Sequence, residues 1–323
     1  MNFCRCFFLL QIRMYRYLAL LSLVGAVLIG KAQNQSLQLS GGKITRFENF
    51  RSRFVAERTV DVWTPSDYTP TQKYAVLYMH DGQMLFDSLS TWNRQEWGVD
   101  ETLEKLSQTH PEFKNCLVVG IWNSGKGRHP DYFPQRPYEL LTHTQKQFVT
   151  EQLQKIGRTT DAFVPNSDNY LRFIVEELKP FIDSTFSTFP NPENTLIAGS
   201  SMGGLISMYA FCEYPDVFGR VACLSTHWPG IFSLENNPIP DAFVKYLETN
   251  LPPPQKGRKI YFDFGTATLD ALYEPTQRRV DALLKAKKYK AEHWKTLKFE
   301  GADHSEKAWK ERLAVPFTFL LQK

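Results

Sequence analysis

"TLIAGSSMGGL", residues 195–205, is where the fold declares itself. Thr195–Ser200 is apolar at consecutive positions, as in a strand covered on both faces. From Met202 the apolar residues recur at helical spacing through "MGGLISMYAFCEYP" (202–215). The handover is Gly199-Ser200-Ser201-Met202-Gly203, a serine with glycines two residues to either side. A plain tight turn has no need of that symmetry.

The same alternation extends in both directions. Apolar strands are predicted at "YAVLYMHDG" (74–82), "NCLVVGIWN" (115–123), "RVACLST" (220–226), "KIYFDFGT" (259–266) and "HWKTLKFEG" (293–301). Helical spacing marks "GVDETLEKLSQ" (98–108), with Val99, Leu103 and Leu106 on one face. It returns at 169–186, at 275–287 and in one last helix over 306–322. Such a series predicts an α/β fold with a mostly parallel sheet and helices on both faces. Ahead of it, Ile44–Val55 and Arg58–Thr64 alternate apolar with polar residues and predict an antiparallel edge pair. Residues 124–160 break the rhythm, so this stretch is expected either to cover a pocket or to form an elaborate surface crossover.

Residues 17–29, "YLALLSLVGAVLI", follow Arg13 and Arg16 and precede a small-residue junction at Ala32. This predicts a secretory signal over 1–32, with translation starting at Met1 or Met14. The apolar core is shorter than the roughly 20 residues of a spanning helix. A secreted or periplasmic protein is expected, without stable membrane insertion. Residues 33–43 read as a loose lead-in and 44–323 as a single domain. The net charge of +4 resides in Arg5, Arg13, Arg16 and Lys31, so the mature chain is neutral and offers no basic tract for nucleic acid. Cys116, Cys212 and Cys223 remain after the signal; they read as buried free thiols, since three cannot all pair and none has metal-ligand spacing.

Strand, G-x-S-x-G and helix together form the nucleophile elbow of α/β hydrolases, which makes Ser201 the nucleophile and Ser200 a small neighbour. The triad order serine, acid, histidine then selects the partners. Of the histidines after Ser201, His304 follows the last strand, whereas His293 precedes it. His227 lies at a strand end with no acid-bearing loop after it, and is a candidate substrate contact together with Trp97. The acid is expected after 259–266: Asp263 should point into packing, Asp270 is the choice and Glu274 the alternative. Oxyanion donors are expected from the N–H groups of Met202 and Gln83, with Gly82 allowing a sharp turn. His80 and Asp81 have no third residue nearby to make a metal set.

The stretches "LYMHDGQMLFD", "VVGIWN", "IAGSSMGGLISMYA" and "FEGADHSEKAW" resemble the esterase D-like family of α/β hydrolases. That family includes feruloyl and acetyl-xylan esterases, siderophore esterases, S-formylglutathione hydrolases and mycolyltransferases. The resemblance spans residues 44–321 and implies a single domain without a large cap, and no cofactor. "GTATLDALYEP" is longer than the family's short acid loops. The expected function is a serine carboxylic-ester hydrolase acting on acylated carbohydrate, oligosaccharide or siderophore-type esters. An acyltransferase using the same acyl-enzyme, and an inactive binding protein, are the alternatives. The oligomeric state is not legible in the sequence.

Overall fold

The computed structural model describes residues 37–322; the expected export signal lies outside the described residues. In β3 (Ala75–His80), Val76 and Tyr78 enter one core while Ala75, Leu77 and Met79 enter another. β4 (Cys116–Ile121) divides Val119 and Ile121 from Cys116 and Val118 in the same way. Successive side chains point to opposite faces, and both faces are covered, which is why these strands read as unbroken apolar runs.

The sheet also contains β1 (Lys43–Phe50), β2 (Arg58–Thr64), β5 (Thr195–Ser200), β6 (Arg220–Leu224), β7 (Lys259–Gly265) and β8 (Trp294–Phe299). Its eight strands run in the order β1-β2-β4-β3-β5-β6-β7-β8. β2 pairs antiparallel with β1 and β4, and every other pairing is parallel. The order reverses around β3 and β5, and in open α/β sheets ligands bind beyond the strand carboxyl ends at such a point.

The helices are α1 (Val99–Thr109), α2 (Arg128–Tyr132), α3 (Gln135–Glu139), α4 (His143–Lys155), α5 (Ser167–Arg172) and α6 (Lys179–Thr185). They continue with α7 (Met202–Glu213), α8 (Ile239–Asn250), α9 (Glu274–Ala286), α10 (Glu306–Arg312) and α11 (Ala314–Leu321). Leu103 of α1, Trp309 of α10 and Leu320 of α11 share one core. Leu171, Leu205, Phe243 and Val280 bring α5, α7, α8 and α9 to the other. Residues from Gln38 onward form one compact unit.

The structure departs from the expected elements at five places. The 124–160 stretch is helical (α2 to α4), and Thr142 with Gln145 forms a capping box at the start of α4. Helix α8 was not expected; Pro238 and Pro240 at its start obscure a helix that prolines tolerate in the first turn. Between α5 and α6 the chain makes a π-helical turn over Phe173–Leu178, just ahead of Pro180. Proline has no N–H and crowds the carbonyl four residues back, so the ladder widens there. The same conflict between Pro316 and the carbonyl of Arg312 divides the expected last helix at Leu313. Finally, the end of the lead-in is not loose. Ser40 N–H donates to Asp100 at 2.7 Å, and the Gly41 carbonyl accepts from the Trp63 indole at 2.9 Å. The three cysteines are buried free thiols, as expected.

Candidate active site

β5 delivers its chain end at Ser201, whose backbone sits at φ 57°, ψ −122°. Positive φ at a residue with a side chain is strained and needs support from its surroundings. That support is backbone: Ser201 N–H donates to Leu224 O at 2.9 Å, and Ser201 O accepts from Gly204 N–H at 3.0 Å and His227 N–H at 3.1 Å. A Cβ on Gly199 would meet the Gly203 carbonyl carbon at 2.7 Å, so the turn closes only on glycine. Met202 is the first residue of α7, where N–H groups have no intrahelical acceptor and the helix dipole is positive.

The expected acid and base meet. β7 ends at Gly265, and the next turn buries Asp270; β8 ends at Phe299, and the loop after it carries His304. His304 Nδ1 lies 2.5 Å from Asp270 Oδ1. Glu274 is elsewhere, bonded to Arg278 at 3.0 Å and Lys298 at 3.1 Å on the surface. His293 stands at the other end of β8, packed edge-on to Tyr289. Asp263 points into packing as expected, with Arg312 Nη2 at 3.0 Å.

Ser201, His304 and Gln83 line one cleft of about 680 Å³. Among the described residues no hydrogen bond joins Ser201 Oγ to His304. The Ser201 side chain interacts instead with the Tyr273 hydroxyl, which lies 2.9 Å from His227 Nδ1. Such contacts are commonly loose before substrate arrives. His227 itself is buried beside Tyr273 and Phe232 and is not part of the cleft wall, unlike Trp97, which lines it. Burial, reinforced by His304, pushes the His227 imidazole down to about 3.

The turn after β3 differs from expectation in its mechanics. Its positive φ, 56°, falls on Asp81, not on Gly82. Gly82 is required because a Cβ there would lie 2.4 Å from the Gly120 carbonyl carbon in β4. Asp81 is gripped by Arg128, Nε to Oδ1 and Nη2 to Oδ2 at 2.7 Å each, and by Asn123 Nδ2 at 2.7 Å. Burial would raise the Asp81 carboxyl, but the Arg128 charge and the hydrogen bonds from Arg128 and Asn123 hold it below its usual range. His80 turns inward to the Tyr170 hydroxyl at 2.8 Å.

Sequence reasoning missed several of these residues. Arg128 sits in the stretch read as irregular, and Ser225 and Arg312 carry no local signal of their part beside Asp270. Two aromatics on the cleft rim were also missed: Trp92 is 84% exposed and Phe232 52% exposed. Aromatic side chains usually bury most of their surface, so two bare rings at one opening stand out.

Known proteins agree with this architecture. A family model for esterases, named Esterase, matches residues 52–320. Two Bacillus subtilis (strain 168) proteins are similar in sequence. The uncharacterized protein YjcH is 26% identical over 58% of this chain and 62% of its own length. The uncharacterized protein YbbA is 34% identical over 51% of this chain and 54% of its own. The chain thus spans little more than half the length of these curated relatives. Among solved structures, the ferulic acid esterase from the anaerobic fungus Anaeromyces mucronatus superposes with a TM-score of 0.57 at 17% identity, over 90% of this chain and 92% of that one. The enterobactin esterase FES from Shigella flexneri gives 0.60 at 16% identity, over 88% of this chain and 60% of that one. At such identities the likeness speaks for the fold. The family match covers most of the sequence: this α/β-hydrolase-fold chain belongs to the Esterase family.

Proposed function

We propose that this chain is a serine carboxylic-ester hydrolase in which Ser201 is the nucleophile, His304 the general base and Asp270 the acid that orients it. The observation that carries the reading is the 2.5 Å contact of Asp270 with His304 Nδ1, at a cleft that His304 shares with Ser201. A carboxylate on Nδ1 keeps that nitrogen protonated and leaves Nε2 as the base. Nε2 takes the proton of the Ser201 hydroxyl, which lines the same cleft. Attack on the ester carbonyl forms a tetrahedral oxyanion, received by the N–H groups of Met202 and Gln83. His304 then protonates the departing alcohol, and water repeats the sequence on the acyl-enzyme. No cofactor takes part.

The substrate class we infer is an ester of carbohydrate or siderophore type. Trp92 and Phe232 offer flat apolar faces for a ring, and Gln83, Asn93 and Asn123 offer amides around it. The fold neighbours act, by their names, on ferulic acid esters and on enterobactin. The apolar segment at 17–29 with its basic flank supports export to the periplasm or beyond. The test is a substrate panel on the purified chain: p-nitrophenyl acetate, feruloylated oligosaccharides and a trilactone siderophore, with and without an alcohol acceptor. Hydrolysis that is lost in Ser201→Ala supports the proposal. Turnover only in the presence of acceptor would make the chain a transferase, and no turnover of any ester would overturn it.

A further inference from the structure

Asp270 has a second polar neighbour besides His304. Ser225, the residue after β6, places its Oγ 2.5 Å from Asp270 Oδ2. The same Oγ lies 2.9 Å from Trp309 Nε1 and 2.8 Å from Arg312 Nη2. All four side chains are buried. An indole N–H and a guanidinium can only donate. They therefore occupy both lone pairs of the Ser225 oxygen, and its own proton has one acceptor left, Asp270 Oδ2. That oxygen also receives the Gly265 N–H at 2.6 Å. With Oδ2 held by two donors, Oδ1 is the oxygen presented to His304.

The direction of each proton in this chain follows from the donors at its far end. Arg312 is fixed in turn by Asp263 Oδ1 at 3.0 Å, and its guanidinium lies over the Phe299 ring at 5.0 Å. Trp309 meets His304 as well, edge to face with centroids 5.0 Å apart, so the helix that steers Ser225 also walls the imidazole. Ser225 is itself held at a positive φ of 43°, a conformation that few residues adopt without cause.

We propose that Ser225, locked by Trp309 and Arg312, is a positioning residue: it selects the carboxylate oxygen of Asp270 that faces His304 and so fixes the rotation of that carboxylate. The proposal rests on the triad reading for its kinetic consequence, and stands on geometry alone for its spectroscopic one.

The test uses Ser225→Ala and Ser225→Gly in the full mature chain. Glycine suits the positive φ, so a folded variant lacking the hydroxyl is available even if alanine misfolds. One readout is the low-field proton resonance of His304 Nδ1–H, assigned by its disappearance in His304→Ala. The other is the division between kcat and KM on p-nitrophenyl acetate. The expected result is a resonance that moves or broadens, with kcat lower by about 10- to 100-fold and KM within about two-fold, as for a misplaced catalytic group. Arg312→Lys, which keeps a donor, should move the resonance less than either Ser225 variant. An unchanged resonance and unchanged kcat in both Ser225 variants would overturn the proposal. A wild-type chain inert toward every ester, with a resonance that still moves in Ser225→Gly, would defeat the hydrolase reading and leave the positioning role standing.

Discussion

The two halves of the cleft are held in different ways. Around Ser201 the support is main chain: amides and carbonyls of β6, α7 and the His227 turn clamp the strained residue, and Gly199 touches Gly203 backbone. Around Asp270 and His304 the support is side chain, running through Ser225, Trp309, Arg312 and Asp263. The first arrangement is expected to tolerate loss of a neighbouring hydroxyl but not of backbone room. The second is expected to suffer from loss of a donor or acceptor, because buried polar groups left unpaired are expensive.

The sharpest way to probe that contrast is Ser201, the proposed nucleophile. Ser201→Ala is expected to lower kcat/KM by on the order of 10⁶-fold with little change in thermal stability, since no support of the turn runs through its hydroxyl. Steady-state kinetics beside a thermal melt reads both quantities; comparable loss in Ser200→Ala would mean that the wrong serine has been chosen. Next comes Asp270→Asn, expected to lower kcat by up to about 10⁴-fold, because an amide favours the wrong imidazole tautomer. Glu274→Gln belongs to the same experiment and should be nearly silent, its carboxylate being engaged with Arg278 and Lys298.

Gly199→Ala attacks the other half. Its Cβ would demand a shift of the Gly203 backbone, and Ser201 would move with it. About 10²-fold lower kcat and a reduced melting temperature are expected. A variant with normal rate and stability would show that the turn is not closed on backbone contact.

The last prediction concerns stability in acid. Burial pushes His80, His129 and His227 down to about 3 each, so the folded chain keeps them neutral. Below about pH 6.5 the unfolded chain binds protons at these positions and the folded chain does not, so stability falls as pH drops toward 3. At pH 5 each histidine disfavours the fold by on the order of 2 kcal/mol. Melts at pH 7 and pH 5 should therefore differ strongly, and replacing His80 by phenylalanine should narrow the gap. Equal melting temperatures at the two pH values would show that these imidazoles are not kept neutral.

Local order along the chain carried the elbow. Strand, turn and helix fall within about twenty residues, each with its own periodicity, and the glycines at 199 and 203 mark the turn without reference to anything distant. The same locality made the parallel strands legible, since burial on both faces leaves a continuous apolar run. The meeting of Asp270 with His304 was legible at one remove, since loops that follow parallel strands gather at their carboxyl ends.

Tertiary structure decided the rest. Nothing near Ser225 announces that its hydroxyl will face a carboxylate 45 positions away, and Arg312 on an amphipathic helix reads as a surface residue until Asp263 and Asp270 are placed beside it. Helices α8, α2 and α3 were hidden by prolines or short length, and α4 by its sparse apolar face, which buries only Val149 and Leu153. Asp81 took the left-handed turn, and residue 82 is glycine because β4 backbone passes too close for any side chain there. Periodicity reports which face of an element is buried; it has no term for which particular polar atoms will meet once those faces close.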